Sequence, residues 1–368
     1  MTADLLLAAL RENVNCPHFT LRQWELLLGQ ARRSALISRL ATHFADHGWL
    51  DCVPSQPRRY LDSAGLLASR QRLEARWEVS RIERALRRVD TPIVLLKGAA
   101  YVLADLPPAR SRLFGDVDIM VRPHCLQEVE SALFGAGWMP QERDAYNDRY
   151  YRQWMHELPP LVHATRDSTL DVHHTITPPT SRFRVDAQML FAQLRPIGDS
   201  GRLFVLGPTD MILHSAVHLF QEGEFQNGMR DLLDIGDLLR HFGNLPGFWL
   251  QLSVRATELG LERPLHYAMS TSEMLFPGSV PPELTRLIAK HRPGWLLRLG
   301  MAALFSRALR PDHPSCDDIQ TRVARSLLYL RAHGLRMPIR LLLPHLARKA
   351  YMRRFPAKRP VLPDARHP

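Results

Sequence analysis

The amino-acid sequence predicts an α+β protein in which a mixed unit of strands and helices is set between two helical regions. Two changes of hydrophobic period carry this reading. Apolar residues spaced three and four apart give way at Thr91-Pro92 to short buried runs and period-two alternation, and the helical spacing resumes at Pro208. Length is the third observation, since 368 residues exceed one unit of roughly 150 residues. The chain is therefore divided into a helical N-terminal region (1–90), an α/β core (91–207) and a helical C-terminal domain (208–368).

In the first region the helical spacing runs through Leu21, Trp24 and Leu28, then Leu36, Leu40 and Phe44, then Leu66, Leu73, Trp77, Ile82 and Leu86, with one interruption at Pro54 and Pro57. Beyond Pro92, Ile93-Val94-Leu95-Leu96 reads as a short buried strand, and Lys97-Gly98-Ala99-Ala100 turns it into a helix reaching Leu106. After a proline-rich turn, residues 114–121 alternate with period two and read as a strand. A helix over 126–134 closes at Gly135 and Gly137. Segments 158–164 and 169–176 read as two more strands joined by the turn Arg166-Asp167-Ser168. From Pro208 onward helices are expected at 209–222, 229–242, 249–259 and 265–276, with several more after Pro282.

Composition excludes several classes. With 45% hydrophobic and 23% charged residues the chain can bury a sizeable core, which rules out wholesale disorder and collagen-like structure. Its most apolar stretches fall far short of the ~20 residues of a membrane span, and Met1 to Leu10 carries Asp4 in place of a basic leader segment, so a cytoplasmic protein is expected. Cys16, Cys52, Cys125 and Cys316 are widely separated, which argues against a thiolate zinc site and a disulfide framework. The net charge of +11 equals the eleven basic residues, Arg322 first and Arg359 last, of a segment (322–359) with no Asp or Glu. The rest of the chain is formally neutral. That basic tail fits an anionic partner or membrane surface, although Leu327, Leu328, Leu330, Ile339 and Leu346 equally suit core packing.

Residues two apart in a strand share a face, so Asp116 and Asp118 project together while Val117, Ile119 and Val121 point into a core. Two adjacent carboxylates on a mostly buried strand repel each other and are costly to desolvate, and a divalent cation removes that cost. A lone Asp-x-Asp is more often a pair of solvated acids on an edge strand, but three neighbours favour chemistry here. Asp171, on a second strand, brings a third carboxylate if the strands pair, enough for two metals. Lys97-Gly98 stands at a strand-to-helix turn, where a glycine lets the backbone approach a phosphate. Arg112 offers a guanidinium fork for phosphate oxygens.

Together Leu95-Leu96-Lys97-Gly98, Arg112, Asp116-Val117-Asp118 and Asp171-Val172-His173 resemble the nucleotidyltransferase superfamily of the DNA polymerase beta type, and more closely its uncharacterised bacterial branch. The resemblance covers about 92–177 well and extends less closely to Leu213-His214, His218 and Asp231-Leu232-Leu233-Asp234. It implies a polymerase-beta-like mixed-sheet core and Mg²⁺-dependent transfer of a nucleoside monophosphate from an NTP such as ATP to an acceptor hydroxyl, with pyrophosphate leaving. Asp116, Asp118 and Asp171 would hold two Mg²⁺ ions and carry the catalysis. Lys97, Gly98 and Arg112 would hold the triphosphate, with His173 supporting the metal ligands. The wider superfamily carries Gly-Ser or Gly-Gly at the turn. Here Lys-Gly stands, with seventeen residues between Gly98 and Asp116.

Two further patterns have blander readings. His214 and His218 are four apart on a helix without the Glu of a zinc motif, and read as core or helix-face histidines. Asp231, Asp234 and Asp237 read as a solvated face with ion pairs three residues apart. The rival functions are a non-catalytic nucleotide- or nucleic-acid-binding protein and a peripheral membrane assembly factor using the basic tail. Acceptor, base preference and oligomeric state leave no readable signature.

Overall fold

The computed structural model describes residues 4–11, 19–141 and 145–338, with 340 and 342. Among the described residues, four α-helices precede the first strand: α1 (Leu5–Leu10), α2 (Leu21–Arg33), α3 (Ile37–Asp46) and α4 (Ser55–Ala85). A capping box starts α2, because Thr20 Oγ1 accepts from the Gln23 N–H while Gln23 Oε1 accepts from the Thr20 N–H at 2.9 Å. Pro54 and Pro57 do not break α4. They open it, since a proline in the first turn has no N–H that a helix would need.

Seven strands follow: β1 (Ile93–Leu95), β2 (Asp116–Met120), β3 (Trp138–Pro140), β4 (Leu161–His163), β5 (Thr169–His173), β6 (Arg195–Pro196) and β7 (Leu203–Val205). They form one mixed sheet in the order β3-β4-β5-β2-β1-β7-β6. The pairs β1/β7 and β2/β5 are parallel, and the others are antiparallel. Sequence reading overlooks β3, β6 and β7, because each is two or three residues long and too short to show a period. The remaining helices of this stretch are α5 (Lys97–Leu103), α6 (Leu126–Gly135), α7 (Ala145–Trp154) and α8 (Ala187–Phe191). Helix α4 packs on β2, α5 and α6.

The C-terminal helices are α9 (Pro208–Gln221), α10 (Gly228–Phe242), α11 (Phe248–Glu258), α12 (Glu262–Leu275), α13 (Pro282–Leu287), α14 (Trp295–Ala308) and α15 (Ile319–Arg336). Helix α9 is buried almost all round, with α10, α11, α12 and α15 packed against it. One hydrophobic core, from Leu6 through Ile93, Ile119 and Val172 to Leu328, joins the sheet to both sets of helices. No described helix is long and apolar enough to cross a membrane.

Much of the positive charge on α15 is engaged within the molecule. Arg322 pairs with Asp317 at 3.0 Å, Arg325 with Asp312 at 3.1 Å, and Arg331 donates to the Phe220 carbonyl at 2.8 Å. Leu328 is buried while Leu327 and Leu330 are exposed. The basic residues Arg348, Lys349, Arg353, Arg354, Lys358 and Arg359 lie outside the described residues.

Candidate active site

Strand register places the acidic residues. Parallel pairing sets Asp118 directly opposite Asp171 and Asp116 opposite Thr169, so Asp116, Asp118 and Asp171 share one face of β2 and β5. The opposite face carries Val117, Ile119, Leu170 and Val172, all buried in the core. That apolar anchoring is why the register cannot slip by one residue without turning the acids inward.

Lys97 reaches the same face from β1. The Leu96 N–H donates to the Asp118 carbonyl at 3.0 Å, which ties the end of β1 to the middle of β2. Lys97 then adopts a left-handed backbone, φ +43°, uncommon for a residue with a Cβ. Its Nζ donates to Asp118 Oδ1 at 3.1 Å, and His173 Nε2 donates to the same oxygen at 3.0 Å. Asp118 is 4% exposed.

This packing separates the three carboxylates electrostatically. Burial opposes the Asp118 charge, but the Lys97 ammonium and the His173 hydrogen bond overcome it and hold its carboxyl well below the usual range. Asp171 has no such cation. Burial, then the Asp118 and Glu157 charges, push it up to about 8, and its Oδ1 is buried without a hydrogen-bond partner. The Asp118 charge also raises Asp116, which stands at the exposed start of β2. A buried carboxylate oxygen without a partner, on the strand position opposite an ionised aspartate, is what a divalent cation would relieve, and oxygen donors of this kind suit Mg²⁺.

A groove of about 470 Å³ opens beside Asp116, between α4 and the start of β2 and β5. Trp77, Phe114 and Arg166 line it. Arg166 is fixed there by a bidentate bond to the buried Glu78, at 2.6 and 3.0 Å.

The model of an uncharacterised nucleotidyltransferase family matches residues 20–277, more than half of the chain. The protein belongs to that nucleotidyltransferase family. Membership makes it a transferase with an NTP as substrate class. The match runs from α2 to the end of α12 and covers every residue of the acidic face. No curated protein and no solved structure matches the chain.

The nucleotidyltransferase uses two of the residues singled out from its sequence in ways the pattern did not show. Arg112 is 9% exposed, and its Nη1 donates to Asp231 Oδ1 at 3.3 Å and to Asp234. Its charge still lowers the Asp116 pKa, so it contributes to the positive field around the site from behind a carboxylate screen. Gly98 is buried, and a Cβ there would lie 2.7 Å from Phe114 Cδ1. Its missing side chain makes room for a ring.

The aspartates of α10 require a correction. They do not form a solvated face: Asp231 and Asp234 are buried on Arg112, and Asp237 accepts a bidentate bond from Arg39 at 2.5 and 2.7 Å. The expected ion pair three residues apart does form between Asp237 and Arg240 at 2.5 Å, and Arg230 bonds Asp231 at 2.8 Å, but Arg112 and Arg39 arrive from distant parts of the chain and make the seam a buried one. His214 is a buried core histidine whose pKa burial holds well below the ordinary value, while His218 Nδ1 lies 2.5 Å from Glu222 Oε2.

Sequence reading missed His156, Glu157 and Glu222. Glu157 Oε2 is 3.3 Å from His173 Nδ1, and Glu222 Oε1 is 4.0 Å from His156 Nε2. Among the described residues, His156, Glu157 and His173 form the group whose ligand atoms all lie within 4.8 Å of one another, and the three aspartates do not meet that distance. The pair His156-Glu157 lies in no periodic segment, so only its proximity to β5 reveals it.

Proposed function

We propose that this nucleotidyltransferase moves a nucleoside monophosphate from an NTP to an acceptor hydroxyl in a Mg²⁺-dependent reaction that releases pyrophosphate. One observation carries the reading: Asp118 and Asp171 are register partners on neighbouring parallel strands, Asp116 shares their face, and Lys97 is bonded to Asp118. Asp116, Asp118 and Asp171 would hold the Mg²⁺ ions, which when bound supply the positive charge that binds and polarises the triphosphate.

The chain's own groups have separable tasks. Lys97 keeps Asp118 ionised and lends its ammonium to charge developing on pyrophosphate. Asp171, opposite Asp118 on the acidic face, assists deprotonation of the acceptor hydroxyl as its oxygen attacks the α-phosphorus. The bond to the bridging oxygen breaks, and its electron pair leaves with pyrophosphate. His173 orients Asp118, Gly98 keeps the turn close-packed on Phe114, and Arg112 positions the site through its field. The groove beside Asp116 has the size of a small-molecule site and supports placing the nucleoside there. In this reading the core (91–207) holds the donor and the helices from 208 onward present the acceptor.

The test is transfer of label from α-labelled ATP in cell extract, with the wild type, Asp116→Asn and Asp171→Asn compared. The reading predicts Mg²⁺-dependent labelling by the wild type that both substitutions reduce by at least about 100-fold. Labelling unaffected by them would remove the assigned site.

A further inference from the structure

Beside the acidic face lies a second donor set whose chemistry differs from it. Residues 156–158 run antiparallel to the end of β5, with the Leu158 N–H donating to the Val172 carbonyl at 2.8 Å and the His174 N–H to the His156 carbonyl at 2.9 Å. An isolated bridge joins Glu157 to His173. This zipper brings two imidazoles and one carboxylate together. The His156 and His173 rings have centroids 5.3 Å apart, and the ligand atoms of all three residues lie within 4.8 Å.

Burial and bonding single this group out. His156 is 4% exposed and His173 2%. The Nδ1 atoms of both are buried with no hydrogen-bond partner, and His173 Nδ1 lies 3.3 Å from Glu157 Oε2. A cation holding donors at about 2.0–2.1 Å in a tetrahedron sets them about 3.3 Å apart, which that separation already matches. The other nitrogen of His173 donates to Asp118 at 3.0 Å. A carboxylate that takes the remote N–H of a ligating imidazole fixes its tautomer and orientation, and this arrangement recurs around protein-bound zinc.

We propose that His156, Glu157 and His173 bind one zinc-class divalent cation, with a Glu222 carboxylate oxygen 4.0 Å from His156 Nε2. Two imidazoles and one carboxylate suit Zn²⁺, whereas an all-oxygen set suits Mg²⁺. This ion is distinct from any held by Asp116 and Asp171. Through His173 it bears on the orientation of Asp118, so it supports the acidic face without touching the NTP. The proposal stands apart from nucleotidyl transfer, because it rests on imidazole nitrogens that the transfer reading leaves without a partner.

The full-length protein, stripped with chelator, is titrated with Zn²⁺ by calorimetry and with Co²⁺ by visible absorption, in the presence of excess Mg²⁺. One equivalent of Zn²⁺ should bind, with d–d bands of a tetrahedral Co²⁺ complex. His156→Ala and the isosteric Glu157→Gln should each weaken binding by more than about 100-fold, beyond what loss of an outer partner costs. Circular dichroism confirms that the variants fold. Asp116→Asn, at the exposed end of β2, should keep the Co²⁺ bands while losing transfer. Absence of one-equivalent binding in the wild type, or equal binding by folded Glu157→Gln, overturns the proposal and leaves His173 as an imidazolium bridging two carboxylates. Failure of the transfer assay with intact Co²⁺ bands would instead count against the nucleotidyltransferase site.

Discussion

Replacing Lys97 by Met isolates the electrostatic principle of the acidic face, since the two side chains have similar length and only the ammonium is lost. In the wild type Nζ lies 3.1 Å from an Asp118 carboxylate that is 4% exposed, and Glu222, Glu157 and Asp116 also act on the ammonium. At 3.1 Å and an effective dielectric of about 20, the Asp118 attraction alone is about 5 kcal/mol. Removing desolvated Lys97 recovers part of that, and breaking one side of a buried pair costs about 3–5 kcal/mol in general. Lys97→Met should therefore lose about 3–5 kcal/mol in urea denaturation at pH 7 in metal-free buffer. The pH dependence follows from the direction of the Asp118 shift. Its folded-state pKa lies below the unfolded value near ~3.9, so its contribution is fully present above that pH and disappears as pH falls through the folded value. The gap between wild type and variant should accordingly close under acid conditions. Millimolar Mg²⁺ should narrow it at pH 7, because a divalent cation replaces the missing charge. A loss smaller than about 1 kcal/mol at pH 7, unchanged by acid or Mg²⁺, would refute the view that Lys97 makes the buried carboxylate tolerable.

Other expectations concern neighbouring features. Gly98→Ala puts a methyl 2.7 Å from the Phe114 ring and should cost about 1–3 kcal/mol, most of it recovered in Gly98→Ala/Phe114→Leu, as a double-mutant cycle would measure. If Gly98 also admits a phosphate, that double variant regains stability without regaining NTP affinity. Asp171→Asn exchanges a poorly solvated carboxyl for a neutral amide opposite Asp118. It should raise metal-free stability by about 1–2 kcal/mol while abolishing transfer, a trade expected of a strained site and readable in paired denaturation and activity assays. His266 is buried with neither ring nitrogen hydrogen-bonded, and burial, then Arg292, Arg298 and Arg263, hold its pKa down to about 4. Protonation therefore favours the unfolded chain, and stability should fall by about 1–3 kcal/mol as pH drops from ~6.5 to ~4, a slope that His266→Phe should remove. Trp77→Ala, at a residue 47% exposed, should change stability by less than about 1 kcal/mol yet raise KM for the NTP, measured from initial rates.

Local pattern is legible wherever a residue's role is carried by its own chain neighbours. The alternation around Asp116-Val117-Asp118 placed both acids on one strand face, because side chains alternate regardless of what the strand pairs with. The helical spacing from Pro208 matches α9 to α12 for the same reason. Lys97-Gly98 marked the end of β1 through turn chemistry alone. Such features depend on a few consecutive torsions, and sequence order supplies those directly.

Roles that depend on distant partners were not legible. Arg112 and the aspartates of α10 are 119 and 122 residues apart and meet only when α10 packs against the turn before β2. Their separate spacings suggested an open phosphate fork and a solvated face. Glu157 and His156 join the site through a bridge to the end of β5, and β7 completes the sheet beside β1 after more than a hundred intervening residues. By itself, then, the sequence determined that Asp116 and Asp118 stand on one side of their strand and Asp171 on another strand, and that Lys97-Gly98 ends the first strand. Tertiary structure alone decided which charges neutralise which, because Coulomb attraction and burial act through space and have no period along the chain.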